Sequence, residues 1–99
     1  MAFRIKIEPE ARVDIQSAID WYNEQKKGLG KRFFKETQTA LKVLSQNPFY
    51  QKRYENVYCF PLKKFPYLVH FTINEENRVV IIRAIFHTSL NPKGWKNRP

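Results

Sequence analysis

The sequence predicts one α+β domain, in which a twisted, mostly antiparallel sheet carries a helical hairpin on one face, with elements in the order β-α-α-β-β-β. The 99 residues, of which 42% are hydrophobic and 15% aromatic, suffice for one core and are too few for two, so residues 1–99 are expected to form a single domain. After a short alternating run at residues 3–7, apolar residues recur at helical spacing as far as Asn47-Pro48 and at strand spacing after it. Helices and strands of one short chain must share a core, which a sheet covered by two helices provides.

The chain begins with a strand followed by a helix. Residues 3–7 alternate apolar and basic side chains, which is the period of a strand with one buried face. Glu8-Pro9-Glu10 is typical of a helix N-terminus, where proline loses no hydrogen bond and carboxylates suit the helix dipole. Apolar side chains at spacings of three and four then predict a helix ending near Gln25; they are Ala11, Ile15, Ala18, Ile19 and Tyr22.

A second helix follows a tight break at residues 26–30, where two glycines permit the positive φ of a helix C-cap. We expect this helix to begin just after Gly30. Asn47-Pro48 ends it, because the residue before proline avoids the helical region. One face is apolar and consists of Phe33, Thr37, Ala40, Leu41 and Leu44, with Phe34 at its flank. The two helices therefore form a hairpin with two apolar stripes.

Short β-prone runs occupy the rest of the chain. Residues 57–60 and 66–73 are predicted to be neighbouring strands, and the polar residues 74–77 form a turn before a last strand at residues 79–86. A meander is the simplest connection between these three strands.

Alternation along the last strand sorts its side chains between the helix side of the sheet and the opposite side, which we call the open face. Val80, Ile82, Ala84 and Phe86 are predicted on the helix side, and Val79, Ile81, Arg83, Ile85 and His87 on the open face. In the preceding strand, Tyr67, Val69, Phe71 and Ile73 are predicted to face the helices, and His70 the open face. Arg83 and His87 would then lie on the same face of the sheet.

The charge of the chain favours an acidic partner. The formal net charge is +9. Residues 1–25 carry three basic and five acidic side chains, a net charge of −2, which leaves +11 for residues 26–99. Nucleic acid, an acidic protein segment or a membrane surface would suit such a surface.

The sequence excludes several classes of site and location. Cys59 is the only cysteine, so neither an intramolecular disulfide nor a cysteine-rich zinc site is expected, and a reducing compartment fits. Residues 1–14 lack a signal peptide's apolar run, and no segment approaches the ~20 apolar residues of a membrane helix. We therefore expect a cytoplasmic protein without a membrane partner. Metal-ligand spacings and phosphate-loop motifs are missing, so no metal or cofactor is expected.

Several pieces of the chain, taken together, resemble the toxins of the RelE/ParE superfamily of bacterial type II toxin–antitoxin modules. The resemblance covers nearly the whole chain and lies in the order and spacing of residues 11–22, 28–34, 44–48, 64–69, 82–87, 91–92 and 95–98. The tail is similar to that of the ParE or plasmid-stabilisation branch, because His87 ends the last strand and is followed by Pro92 and Trp95. Many relatives carry arginine just before the Asn-Pro step, where this chain has Leu90.

The resemblance implies a toxin that inhibits growth and is neutralised by a cognate antitoxin protein. ParE-like toxins poison DNA gyrase without being enzymes in their own right, and the tail favours this function. RelE-like toxins cleave mRNA in the ribosomal A site, which is the alternative and leaves open whether the protein is an enzyme. An acidic or amphipathic antitoxin segment is expected to bind as a helix in the hairpin groove or as a strand added to the sheet edge.

If the chain cleaves RNA, Arg83 and His87 are the candidate catalytic residues. Attack by a 2′-hydroxyl needs a proton acceptor, an acid for the leaving oxygen and cations that hold the phosphate, and an arginine and a histidine can supply these. The other interpretations are a structural ion pair for Arg83 and a structural or antitoxin-contact role for His87. His70 is interpreted as structural, and Glu55 as a weak candidate base.

Five further residues are candidates for binding a target or a phosphate, namely Arg53, Lys63, Lys64, Trp95 and Arg98. Lys52 and Glu55 lie close to Arg53 in the sequence. Solvated surface charge is the competing interpretation of the lysines, and packing against the sheet is that of Trp95. A third class, a bare nucleic-acid-binding module, is disfavoured because no predicted strand interleaves aromatic and basic residues.

Overall fold

The computed structural model describes residues 2–50, 52–54 and 56–88 and confirms the α+β class and the predicted order of elements, with one short strand added. The elements are β1 (Arg4–Ile7), α1 (Pro9–Gln25), α2 (Leu29–Gln46), β2 (Lys52–Tyr54), β3 (Val57–Pro61), β4 (Tyr67–Asn74) and β5 (Val79–His87). The additional strand is β2, which pairs with β3.

The five strands form one sheet in the order β1-β5-β4-β3-β2. The pairs β2–β3, β3–β4 and β4–β5 are antiparallel, which confirms the predicted meander. β1 is parallel to β5, and its register ends where Ile7 lies beside Ile82. Beyond Ile82, no described residue pairs as a strand with the edge of β5 that β1 covers earlier.

The helical hairpin forms as its sequence predicts, except that α2 begins at Leu29 and not after Gly30. α1 begins at Pro9 and α2 ends before Asn47-Pro48. Gly28 adopts a φ of 85°, the left-handed conformation that glycine tolerates best. Gly30 instead lies inside α2, where a Cβ would collide with the carbonyl oxygen of Ile19 and the side chain of Asn23. Its backbone N–H donates to Asn23 Oδ1 at 2.9 Å. Gly30 thus permits the close approach of the two helices.

The core lies between the hairpin and the helix side of the sheet. Phe33, Phe71, Leu44 and Ile82 are each fully buried. Aromatic rings fill the part of the core beside the start of β4. The rings of Tyr22 and Phe33 stack with centroids 5.4 Å apart. The rings of Phe65 and Tyr67 pack edge-on against Phe33, with centroid distances of 5.3 and 5.0 Å. The residues of β4 predicted to face the helices all belong to this core or pack against it; they are Tyr67, Val69, Phe71 and Ile73.

The regular alternation of β5 is interrupted at Arg83. Phe71 of β4 pairs with Ile82, but the preceding residue, His70, pairs with Ala84. Arg83 therefore has no register partner on β4, which is the two-against-one arrangement of a β-bulge. A shift of one residue exchanges the two faces for every side chain beyond it.

After the bulge, the side chains of β5 point opposite to their predicted directions. Ile85 is 2% exposed and belongs to the core, and His87 packs against Tyr67 on the helix side. Phe86 contacts His70, whose position on the face away from the helices agrees with the prediction. Four predictions are therefore wrong, the helix side for Ala84 and Phe86 and the open face for Ile85 and His87.

Candidate functional site

Arg83 lies at the bulge and is held by two polar partners. Its Nε donates to Thr72 Oγ1 at 3.2 Å, and its Nη1 forms an ion pair with Glu8 Oε1 at 3.1 Å. The side chain of Arg83 is 42% exposed and that of Glu8 26%. The guanidinium thus ties the bulge to the segment between β1 and α1, as the ion-pair interpretation of this residue expects.

His87 lies on the other side of the sheet, in an aromatic setting. Its ring meets that of Tyr67 edge-on, with centroids 5.3 Å apart. Both residues line an open cavity of about 310 Å³ between α1 and the end of β5, together with Trp21 and Asp14. Burial raises the pKa of Tyr67 above its ordinary value of 10.0.

The predicted pairing of Arg83 and His87 on one face is therefore wrong, and the bulge is the physical reason. Four residues of a strand span about 13 Å. The two side chains also leave the sheet on opposite sides. The structure does not bring them together around one reacting group.

Asp14 is a residue that sequence reasoning missed. Its Oδ2 accepts a hydrogen bond from the backbone N–H of Ile85 at 3.0 Å. Since β1 pairs with β5 only as far as Ile82, this N–H lies on the edge that β1 no longer covers. In the sequence, a carboxylate in the second turn of a helix looks like ordinary solvated charge. Asp14 thus fixes the position of the strand segment that carries His87.

The two adjacent lysines of the β3–β4 connection have different surroundings. The backbone N–H of Lys63 donates to Glu36 Oε2 of α2 at 2.7 Å. Lys64 lines an open cleft of about 450 Å³ with Arg32 and Lys35 of α2. Lys63 and Lys64 are predicted from the sequence to bind a target or a phosphate, whereas Arg32 and Lys35 are not. Their three-residue spacing on a helix was the available signal, since it places both on one side.

An apolar groove, which we call the hairpin groove, lies between α1, α2 and the end of β1. It has a volume of about 350 Å³. Its apolar lining consists of Ile7, Ile15, Ile19, Phe34 and Leu41. Phe34 is 42% exposed although it is a large hydrophobic side chain. Exposed apolar surface of this kind, beside polar residues such as Arg12 and Gln38, is typical of protein-binding sites.

His70 and Cys59 are neighbours across β3 and β4. Cys59 Sγ lies 3.5 Å from His70 Nδ1, and His70 is 1% exposed. The burial of His70 fits its interpretation as a structural residue.

The remaining candidates lie outside what the structure describes. Lys52 and Arg53 belong to β2, where only the backbone is described, and Glu55, Leu90, Trp95 and Arg98 fall outside the described residues. Within residues 2–50, 52–54 and 56–88, no three His, Cys, Asp or Glu side chains gather to hold a metal. In the same part of the chain, neither helix combines the length and the apolarity needed to cross a membrane.

Comparison with known proteins places these features in a family context. Residues 5–92 match the model of the family described as the ParE toxin of the type II toxin–antitoxin system parDE. No curated protein matches the chain.

Solved structures of both branches resemble the fold. The chromosomal ParDE system from P. aeruginosa matches with a TM-score of 0.73 and 16% identity, over 89% of this chain and 98% of that one. The intact E. coli RelBE toxin–antitoxin complex matches with a TM-score of 0.67 and 13% identity, over 91% and 100%. The RelBE2 toxin–antitoxin complex from Mycobacterium tuberculosis matches with a TM-score of 0.62 and 17% identity, over 88% and 99%. At these identities the structures show the fold alone.

Proposed function

Because the chain belongs to the ParE toxin family of type II toxin–antitoxin systems, we propose that it inhibits growth by binding DNA gyrase and that a cognate antitoxin neutralises it. The observation that carries this proposal is the match of residues 5–92 to the ParE toxin model, which spans every described helix and strand except the first residue of β1. In this function the protein acts by occupying a target and catalyses no reaction.

The separation of Arg83 and His87 supports binding over catalysis. General acid–base cleavage of RNA needs the proton-transferring group and the phosphate-binding cation within reach of the same phosphodiester. Here the bulge directs Arg83 to the open face and His87 to the helix side. Arg83 is also engaged by Glu8 and Thr72.

The hairpin groove supports the antitoxin part of the proposal. An amphipathic helix can bind such a groove through apolar side chains spaced three and four residues apart. Phe34 offers exposed apolar surface there, and the net charge of +9 favours an acidic segment around the apolar contacts. Two of the solved structures that resemble this chain are described as toxin–antitoxin complexes.

Two assays on the purified chain test the target. We expect inhibition of gyrase supercoiling and no cleavage of mRNA in the ribosomal A site. His87→Ala should leave the inhibition of gyrase within about threefold of wild type, since proton transfer by this side chain is not part of a binding function. Ribosome-dependent cleavage that His87→Ala abolishes, without inhibition of gyrase, would instead establish the RelE-like endoribonuclease.

A pair of variants tests the antitoxin surface. Phe34→Asp places a carboxylate in the hairpin groove and should weaken binding of the antitoxin encoded beside this gene by about 100-fold or more, as expected for a residue that the bound partner buries at the centre of an interface. Val13→Asp is the matched control, because Val13 is 63% exposed on α1 and does not line the groove. Equal affinity of the two variants, measured by calorimetry, would remove the groove from the antitoxin interface.

A further inference from the structure

We propose that the cleft between α2 and the β3–β4 connection binds single-stranded nucleic acid, with Arg32, Lys35 and Lys64 holding its backbone phosphates. We call this surface the cationic cleft; Leu29, Glu36, Thr39 and Phe65 complete its lining. It is separate from the hairpin groove and from the surroundings of Arg83 and His87. The inference goes beyond the proposed function and does not depend on which target the toxin inhibits.

The cleft brings together three cations from two parts of the chain. Arg32 and Lys35 lie on one side of α2, about 4.5 Å apart along its axis. Lys64 comes from the β3–β4 connection, more than 25 residues later in the sequence. Within the described residues none of the three forms an ion pair. Repulsion between clustered cations is unfavourable, so such a cluster is suited to an anion that would neutralise it.

Glu36 connects the two sides of this cleft and neutralises only part of its positive charge. Its Oε2 accepts the hydrogen bond from the backbone N–H of Lys63 at 2.7 Å, which fastens the β3–β4 connection to α2. That bond holds the following residue, Lys64, beside α2. Three positive charges against one negative leave the lining with a net charge of +2.

The lining favours nucleic acid over an acidic peptide. A peptide that adds to a sheet needs an open strand edge, and a peptide helix needs a long apolar stripe, whereas this cleft is lined by a helix and a turn and offers only Leu29 and Phe65 as large apolar groups. A nucleic-acid backbone carries a negative charge at every nucleotide, and it needs neither an open strand edge nor a long apolar stripe in order to bind. Phe65, which is half-buried, adds an aromatic side chain beside the cations, and cations together with an aromatic ring are the combination that binds single-stranded nucleic acid.

Binding of a single-stranded DNA oligonucleotide tests the proposal directly. A fluorescein-labelled strand of mixed sequence, about 12 nucleotides long, matches the usual size of such sites. We expect the 99-residue chain to bind it in a salt-dependent manner. The variant Arg32→Ala/Lys35→Ala/Lys64→Ala should lose at least about tenfold in affinity, and its plot of log affinity against log salt should be shallower by about 2, from about 0.7 for each lost phosphate contact.

A second triple variant separates the cleft from general charge. Arg4→Ala/Lys6→Ala/Lys42→Ala also removes three positive charges, from exposed positions outside the cleft. It should keep its affinity within about threefold and most of the salt dependence. Lys64→Glu alone should weaken binding more than Lys6→Glu. Matching circular dichroism spectra would show that the variants are folded.

Three results would overturn the proposal. The first is no binding of the oligonucleotide by the wild-type chain. The second is an equal loss of affinity in the two triple variants, which would show that only net charge matters. The third is displacement of the oligonucleotide from the cleft by a glutamate-rich peptide at lower concentration than by unlabelled oligonucleotide, which would identify an acidic protein segment as the partner. None of these measurements involves gyrase, so they are independent of the target proposal.

Discussion

The two halves of β5 belong to one strand but have opposite relations to the core. In Val79–Ile82, alternate side chains face the helices, as expected of a regular strand. In Ala84–His87 the alternation continues, but the bulge at Arg83 has exchanged the faces. One extra residue therefore decides whether Ile85 is core or surface and whether His87 can reach the same ligand as Arg83. Strand alternation predicts faces only as far as the register is continuous.

Truncation of Ile85 gives the largest expected effect and tests the exchange of faces. Ile85→Ala should lower the free energy of unfolding by about 3 kcal/mol, because this side chain is 2% exposed and its removal leaves a cavity. Ile81→Ala, at a half-buried position of the first half, should cost about 1 kcal/mol. Urea unfolding of both variants provides the comparison. Similar small losses would mean that the alternation continues without a bulge.

Removal of the Asp14 carboxylate should have the next largest effect. Asp14→Ala leaves the N–H of Ile85 without its acceptor at 3.0 Å, and we expect a loss of about 2 kcal/mol in the free energy of unfolding. Asp20→Ala is the control, since the hydrogen bond that Asp20 accepts from Gln16 is exposed and its loss should cost less than about 0.5 kcal/mol. If both variants unfold at the same urea concentration, Asp14 does not hold the second half of β5.

Alkaline pH should produce a smaller loss of folding stability, which also arises beside the second half of β5. Burial raises the pKa values of Tyr22 and Tyr67 above 10.0, so the folded chain keeps these protons when the unfolded chain has lost them. The contribution to stability is complete below pH 10.0 and is lost as the pH rises through the folded pKa values. The urea midpoint should therefore fall above pH 10, and less steeply in Tyr67→Phe. An identical pH dependence of that variant would contradict the burial of this phenol.

The ion pair between Arg83 and Glu8 at the bulge should contribute least to the free energy of unfolding. Arg83→Ala removes the contact with Glu8, but both groups are partly exposed, so we expect a loss below about 1 kcal/mol. Glu8→Gln should cost about the same, because it breaks the same pair. A thermal-unfolding loss several times larger in Arg83→Ala alone would show that the arginine, and not the register, maintains the bulge.

The sequence was sufficient to predict both helices and four of the five strands because their signals are local, whereas the three-residue strand β2 was not predicted. Pro9, Gly28 and Asn47-Pro48 mark helix ends by their backbone preferences, and the apolar stripes repeat at helical spacing. The four predicted strands follow in the same way from alternation and turn residues. The resemblance to the RelE/ParE superfamily was confirmed by the ParE toxin model.

The arrangement of the candidate site was less predictable because it depends on contacts between distant residues. The bulge depends on pairing with β4 and on the early end of β1, neither of which leaves a local signal at Arg83. The acceptor role of Asp14 joins residues 71 positions apart. The cationic cleft likewise needs the Glu36 contact with Lys63 before Arg32 and Lys64 become neighbours.

The central claim, that Arg83 and His87 do not form a joint site, is tested most directly by a double-mutant cycle. Arg83→Ala, His87→Ala and the double variant are compared in the assay, gyrase or ribosome, in which the wild-type chain is active, and each potency is converted to a free energy. Because the side chains lie on opposite faces, we predict that their effects add to within about 0.5 kcal/mol. A coupling energy above about 1 kcal/mol, as expected for two groups that act on one phosphate, would contradict the account.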